Sequence, residues 1–189
     1  MIDSIHTILF VGRPGSGKET QAELLSQKTG FQIFSTGARF RQLREEKGAL
    51  GERVRETVDQ GLLLPHWLAS YLFQTALLHV EKDDGIIFEG TGRKLQEAQL
   101  FDEVATWLGR EYRVLNLDIS ADEAVKRQVH RGRPDSNTEE KVRIRLGEYD
   151  SHTAPVIDFF QKRGALINVP GERSVEAIHE DIVGILGIK

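Results

Sequence analysis

The chain has no cysteine, so disulfides and thiolate metal sites are excluded and the fold must stand on packing. It also lacks an apolar run of membrane-spanning length and any charged-then-apolar leader ahead of the opening "MIDSIHTILF". A soluble, cytoplasmic protein without a membrane partner is therefore expected. Basic residues are not in excess: 25 Lys and Arg stand against 29 Asp and Glu, a formal charge of -4. That balance excludes a general polyanion binder relying on a net basic surface, and nucleic acid is not an expected partner. Internal repeats, low-complexity tracts and long linkers are absent too. The 189 residues suit a single domain with a proper core, expected as a monomer.

What is present is an alternation. Five short apolar or β-branched runs, "HTILFVG", "FQIFST", "GIIFEG", "YRVLNLDIS" and "GALINVP", are separated by longer helical patterns. The runs are nearly continuously apolar, which suits strands covered by helices on both faces of a parallel sheet. The expected fold is α/β, a doubly wound, five-stranded parallel sheet in which ligands bind beyond the carboxyl ends of the strands. Arginines cluster locally in "ARFRQLR", "KRQVHRGRPD" and "RIR", positive patches on an acidic chain that small phosphates would explain.

The first run leads straight into "GRPGSGKET", Gly12 to Thr20, and a helical pattern follows. A glycine-rich turn between a strand and a helix is where a phosphate-binding loop belongs. Gly12, Gly15 and Gly17 let the backbone turn its N–H groups inward, Ser16 lies among them, the helix start adds positive potential, and Lys18 can reach the outer phosphates. Glu19 stands where the general pattern has a serine or threonine that reaches Mg²⁺, and the hydroxyl comes one place later, at Thr20. The bland account of Glu19 is an acid in a helix's first turn, turned from the phosphates and favoured there by ~0.3–1 kcal/mol. The sharper account pairs it with an arginine that swings in over the donor nucleotide.

The displaced hydroxyl and Pro14 resemble the loop of the adenylate kinase family of nucleoside monophosphate kinases, which reads G-x-P-G-x-G-K-G-T. The resemblance runs on in order along the chain. "STGARFR" is similar to the family's S-T-G-D-x-x-R, with Thr36 and Gly37 at the acceptor base, Arg41 as monophosphate clamp and Ala38 in place of aspartate. Gly61 and Leu64 match the acceptor-binding arm, expected at about residues 35–65. "EGTGRKLQEAQ" falls where the family has D-G-F-P-R-T-x-x-Q-A. There Glu89 replaces aspartate, Gly90 and Arg93 are kept, Thr91 and Gly92 replace Phe-Pro, and Glu97 takes the place of the glutamine that reads the adenine edge. A carboxylate only accepts hydrogen bonds, so Glu97 would suit guanine at least as well as adenine; alternatively it is an ordinary exposed helix residue. "VKRQVHRGRPD" and the later "RLGEY" resemble the lid and the helix after it. With one glycine between Arg131 and Arg133, Asp135 kept and Ser136 replacing the second acid, this is a short-lid form, the lid at about residues 127–136.

The resemblance implies a P-loop NTPase-type fold and reversible phosphoryl transfer from ATP to a nucleoside monophosphate, AMP foremost, with Mg²⁺ accompanying ATP. ATP would lie on Gly12 to Thr20 with Arg127 and Arg131, and the acceptor on Thr36, Gly37, Arg41, Leu64, Gly90, Arg93, Glu97, Arg133 and Arg145. Lys18, Arg93, Arg127, Arg133 and Arg145 would carry the transfer. No direct protein ligand to the metal is expected, Glu89 acting through water. The histidines, among them His66, His130 and His152, receive no catalytic role. Two alternatives stay open: a different acceptor such as GMP, and a nucleotide-binding module that has lost transfer.

Overall fold

A computed structural model of the chain describes residues 5–131 and 138–188, with Arg131 described by its backbone alone. Five strands, β1 (Thr7–Val11), β2 (Gln32–Ser35), β3 (Ile86–Glu89), β4 (Tyr112–Asp118) and β5 (Leu166–Pro170), form one sheet in the order β2-β3-β1-β4-β5. Every neighbouring pair is parallel. All five strands lie within the apolar runs of the sequence, and β1 and β3 are buried along their whole length.

The sheet separates two apolar layers, and strand alternation decides which side chain enters which. Leu9, Val11, Ile86, Phe88 and Val114 point to one face, where they meet Phe73 and Leu77 of α4 (His66–His79), Phe101 of α5 (Leu95–Trp107) and Phe160 of α8 (Ala154–Lys162). Ile8, Phe10, Ile87, Leu115 and Leu117 point to the other, against Leu25 of α1 (Lys18–Thr29) and Ile178 and Ile182 of α9 (Val175–Leu186). Aromatic edges organise the first layer: Phe101 meets Phe88 at 5.2 Å and Tyr112 at 5.4 Å, both nearly perpendicular.

A smaller body stands off the β2 edge. Helices α2 (Thr36–Glu45) and α3 (Ala49–Val58) pack on each other and share a separate core of Val54, Leu64 and Leu68 with Phe40, Leu43 and Val58 around it. Its own apolar core is small, so this body depends on α4 and on the edge of the sheet for its place. The remaining helices, α6 (Ala121–Arg131) and α7 (Glu139–Glu148), flank the undescribed stretch, and α7 runs through a single π-helical turn, Tyr149–Thr153, into α8. Among the described residues no helix is long and apolar enough to cross a membrane.

Phe101 has no exposed surface and touches three other rings. Phe101→Ala should lower unfolding free energy by about 3–5 kcal/mol in urea titration; a loss below about 1 kcal/mol would mean that the layer it anchors is not packed as described.

Candidate active site

The sheet order places β1 between β3 and β4, so the loops after these strands open at the point where the connections diverge to the two sides. A cleft lies there, lined by the loop after β1, the start of α1, the α2–α3 body, the loop after β3 and α7.

One wall is the loop after β1. Gly12 has a φ of 132°, and a Cβ there would lie 2.5 Å from the Leu117 carbonyl oxygen, so only glycine lets the loop pass so close to β4. Helix α1 starts from Gly17, which offers no side-chain cap, leaving the first N–H groups of the helix at the cleft. Lys18 turns its ammonium back over the loop, donating to the carbonyls of Gly12 and Arg13 at 2.8 Å and to Ser16 Oγ at 3.1 Å. Gly12, Gly15, Gly17, Lys18 and Glu19 line the cleft, whereas Ser16 is buried behind the loop and Thr20 points to solvent.

Glu19 is not turned from the cleft: it lines it, and its Oε1 accepts from Arg41 Nη2 of α2 at 3.4 Å, while Arg133 and the Arg131 side chain, the lid partners of the sharper account, lie outside the described residues.

The opposite wall comes from β3 and from the α2–α3 body. Glu89 is 8% exposed at the end of β3, its Oε2 accepting from Ser35 Oγ at 2.9 Å, while the same hydroxyl caps α2 through the Ala38 N–H. Gly90 turns with a φ of 74°, and the Arg93 guanidinium lies over it, 2.9 Å from where a Cβ would be. The backbone of Arg93 is clamped on both sides: its N–H donates to Glu97 Oε2 at 2.9 Å and its carbonyl accepts from Thr153 Oγ1 at 2.9 Å. Glu97 is thus neither an exposed helix residue nor part of the cleft lining. At 3% exposure it sits inside the first turn of α5, where desolvation pushes its pKa up, opposed more weakly by hydrogen bonds from the backbone N–H of Arg93 and Lys94 and by their charges. Thr36 is likewise off the lining; its hydroxyl bonds that of Thr91 at 2.7 Å, and both are buried. Gly37, Arg41 and Leu64 line the cleft.

The third side belongs to α6 and α7. Arg145 reaches the cleft and lays its stem across Gly61. Arg127, expected beside it, is instead held on α6 by Glu123, with Nε to Oε1 at 2.7 Å, and does not line the cleft. Arg133, Asp135 and Ser136 lie outside the described residues, as does the Arg131 side chain. His66, His130 and His152 are exposed.

Gln128 and Arg44, both lining the cleft, carried no sequence signal that singled them out. Gln128 is buried against Gly15, its Oε1 without a hydrogen-bond partner among the described residues. Arg44 pairs with Asp59 at 3.0 Å on the acceptor side. Tyr149 lies under the Arg13 guanidinium at 5.0 Å, and burial raises its pKa so that the phenol stays neutral. Arg13 also donates to the Ile119 carbonyl at 2.9 Å, tying the phosphate loop to β4 and to the π-helical turn. Turns of that kind recur at functional sites.

Lys18, Arg41, Arg93 and Arg145 therefore line one space. The sequence profile of the adenylate kinase family matches residues 10–165. The chain belongs to the adenylate kinase family. It is 36% identical over 181 residues to adenylate kinase 1 of Nostoc sp., covering 95% of this chain and 98% of that one. It is also similar to adenylate kinase 1 of Synechocystis sp., 36% identical over 90% of this chain and 91% of the relative. Adenylate kinase of Corynebacterium glutamicum is 34% identical over 95% of this chain and 98% of its own. As a member of the adenylate kinase family the chain is a nucleoside monophosphate kinase, and its five-stranded parallel sheet with flanking helices is the family's P-loop fold.

Glu97 gives a test of the electrostatics around Arg93. A carboxyl whose pKa is raised by folding stabilises the protein fully below its unfolded-state pKa and loses that contribution as pH rises through the folded value. Glu97→Gln keeps an oxygen for the Arg93 N–H and removes the buried charge. The variant should melt higher than the parent at pH 8, by about 2–4 °C for each kcal/mol recovered, with the gain shrinking towards pH 4. A gain that grows towards low pH would contradict the assigned cause.

Proposed function

We propose that the chain catalyses reversible transfer of the γ-phosphoryl group of ATP to AMP, forming two ADP. Phosphoryl transfer asks little covalent chemistry of a protein; it asks that two nucleotides be held in line, that water be kept out, and that positive charge lie around the moving group. The observation that carries the reading is that Lys18 and the open start of α1 share one cleft with Arg93, Arg41 and Arg145.

ATP takes the loop from Gly12 to Thr20, its phosphates meeting the loop N–H groups and Lys18. The loop carbonyls and Ser16 hydroxyl that accept from the ammonium are exchanged for phosphate oxygens on binding. AMP takes the α2–α3 side, its phosphate held by Arg41 and Arg93 and its base in the pocket floored by Leu64. Arg145 stands between the two phosphate chains. Arg127, Arg131 and Arg133 are assigned to a closed state in which the lid covers the donor and Arg127 leaves Glu123. Such closure keeps water from the transferring group.

Mg²⁺ accompanies ATP in this reading. The donor set fits a hard, well-hydrated cation: Glu89 presents a carboxylate at the cleft with one oxygen taken by Ser35, and no group of three metal-ligating side chains exists among the described residues. The ion would neutralise charge on the phosphates, and Glu89 would hold it through water. A monomer in the cytoplasm is the form proposed.

GMP remains the second acceptor to be assayed. Its motive is a carboxylate at Glu97 presented to the base, and the burial of that group beneath Arg93 removes that motive. Lys18, Arg41, Arg93 and Arg145, all lining the cleft, support transfer over a binding module.

Lys18→Met removes the ammonium and leaves the apolar layers untouched. Turnover should fall by at least about 100-fold with the melting temperature shifted by no more than a few degrees; parental turnover would refute the role. In a panel of monophosphates with ATP, the parent should convert AMP far better than GMP, and activity with GMP alone would overturn the acceptor assignment.

A further inference from the structure

The ion pair between Glu19 and Arg41 joins the two substrate sites directly. Glu19 belongs to the first turn of α1, one residue after the donor-site lysine, while Arg41 belongs to α2 on the acceptor side. Both line the cleft, and the pair is only partly covered, with Arg41 49% and Glu19 27% exposed.

We propose that Glu19 is an internal stand-in for the acceptor phosphate: it occupies Arg41 in the empty enzyme and must be displaced before the monophosphate is clamped. This rests on the assignment of Arg41 to the acceptor site. The physical argument is competition. A guanidinium presents a planar fork of donors that fits one anionic group well, and a carboxylate and a phosphate oxygen compete for the same N–H groups. Glu19 also stays beside the cleft once displaced, where its charge opposes both phosphate chains. Glu19 is thus a positioning residue, acting on the acceptor through Arg41, and it sets acceptor affinity at a moderate level. It also holds α2 towards α1 when no substrate is present, which a loop with glycine at this position cannot do.

The test is a double-mutant cycle on AMP binding, measured by calorimetry without ATP on the full chain, using the parent, Glu19→Gln, Arg41→Ala and the double variant, each checked by melting temperature. Glu19→Gln should bind AMP about 2–5-fold more tightly, the range an exposed ion pair spans, and the gain should vanish in the Arg41→Ala background and shrink with added salt. In steady-state assays KM for AMP should fall about 2–5-fold in Glu19→Gln and should not fall when the same change is made in the Arg41→Ala background. Unchanged or weaker AMP binding in Glu19→Gln, or the same gain with Arg41 removed, would overturn the proposal. If Arg41→Ala bound AMP as well as the parent does, the acceptor assignment itself would fail, a result separable from the first because it does not involve Glu19.

Discussion

Two nucleotide phosphate chains repel each other, and any protein that brings them end to end must supply positive charge at one place without supplying it everywhere. This chain does so with a net charge of -4. Its answer is geometric. A parallel sheet sends the loops after β1, β3 and β4 to a common edge, and the helix that follows β1 begins there without a side-chain cap. Lys18, Arg41, Arg93 and Arg145 are then delivered from four different elements to one cleft. Because each comes from a separate segment, their convergence depends on the two apolar layers that hold the sheet and helices in register.

The cations are not left loose. Lys18 is gathered onto its own loop, Arg93 is clamped through both backbone groups, and Arg41 is met by Glu19. Thr153 reaches Arg93 from the π-helical turn, and Arg13 reaches that turn from the phosphate loop, so donor loop, β3 loop and the end of α7 form one connected frame. By contrast, the α2–α3 body touches this frame through few apolar groups.

Much of this was legible in the residues. Strands buried on both faces are apolar throughout, so β1, β3 and β4 stand out, and the spacing of Gly12, Gly15, Gly17 and Lys18 admits few structures other than a phosphate loop. Arg41, Arg93 and Arg145 were found by their order and spacing. Other features needed coordinates because they depend on what a side chain meets rather than on what it is. Glu97 reads as an exposed or base-facing helix residue, yet the turn before α5 folds its carboxylate under Arg93. Thr36 and Thr91, far apart in sequence, satisfy each other. Arg127 falls at the expected position but bonds Glu123 on its own helix. Gln128 and Arg44 reach the cleft through helix phase alone, and a π-helical turn at Tyr149 follows from one displaced hydrogen bond that no composition announces.

The central claim is that one cleft holds donor and acceptor together. It is tested most directly by titrating the protein with two adenosines joined tail to tail by a phosphate chain. If both sites face a common space, one molecule should bind per chain, at least about 100-fold more tightly than ATP or AMP alone, and should block both nucleotides. Binding no tighter than ATP, with AMP still admitted to the complex, would contradict the account.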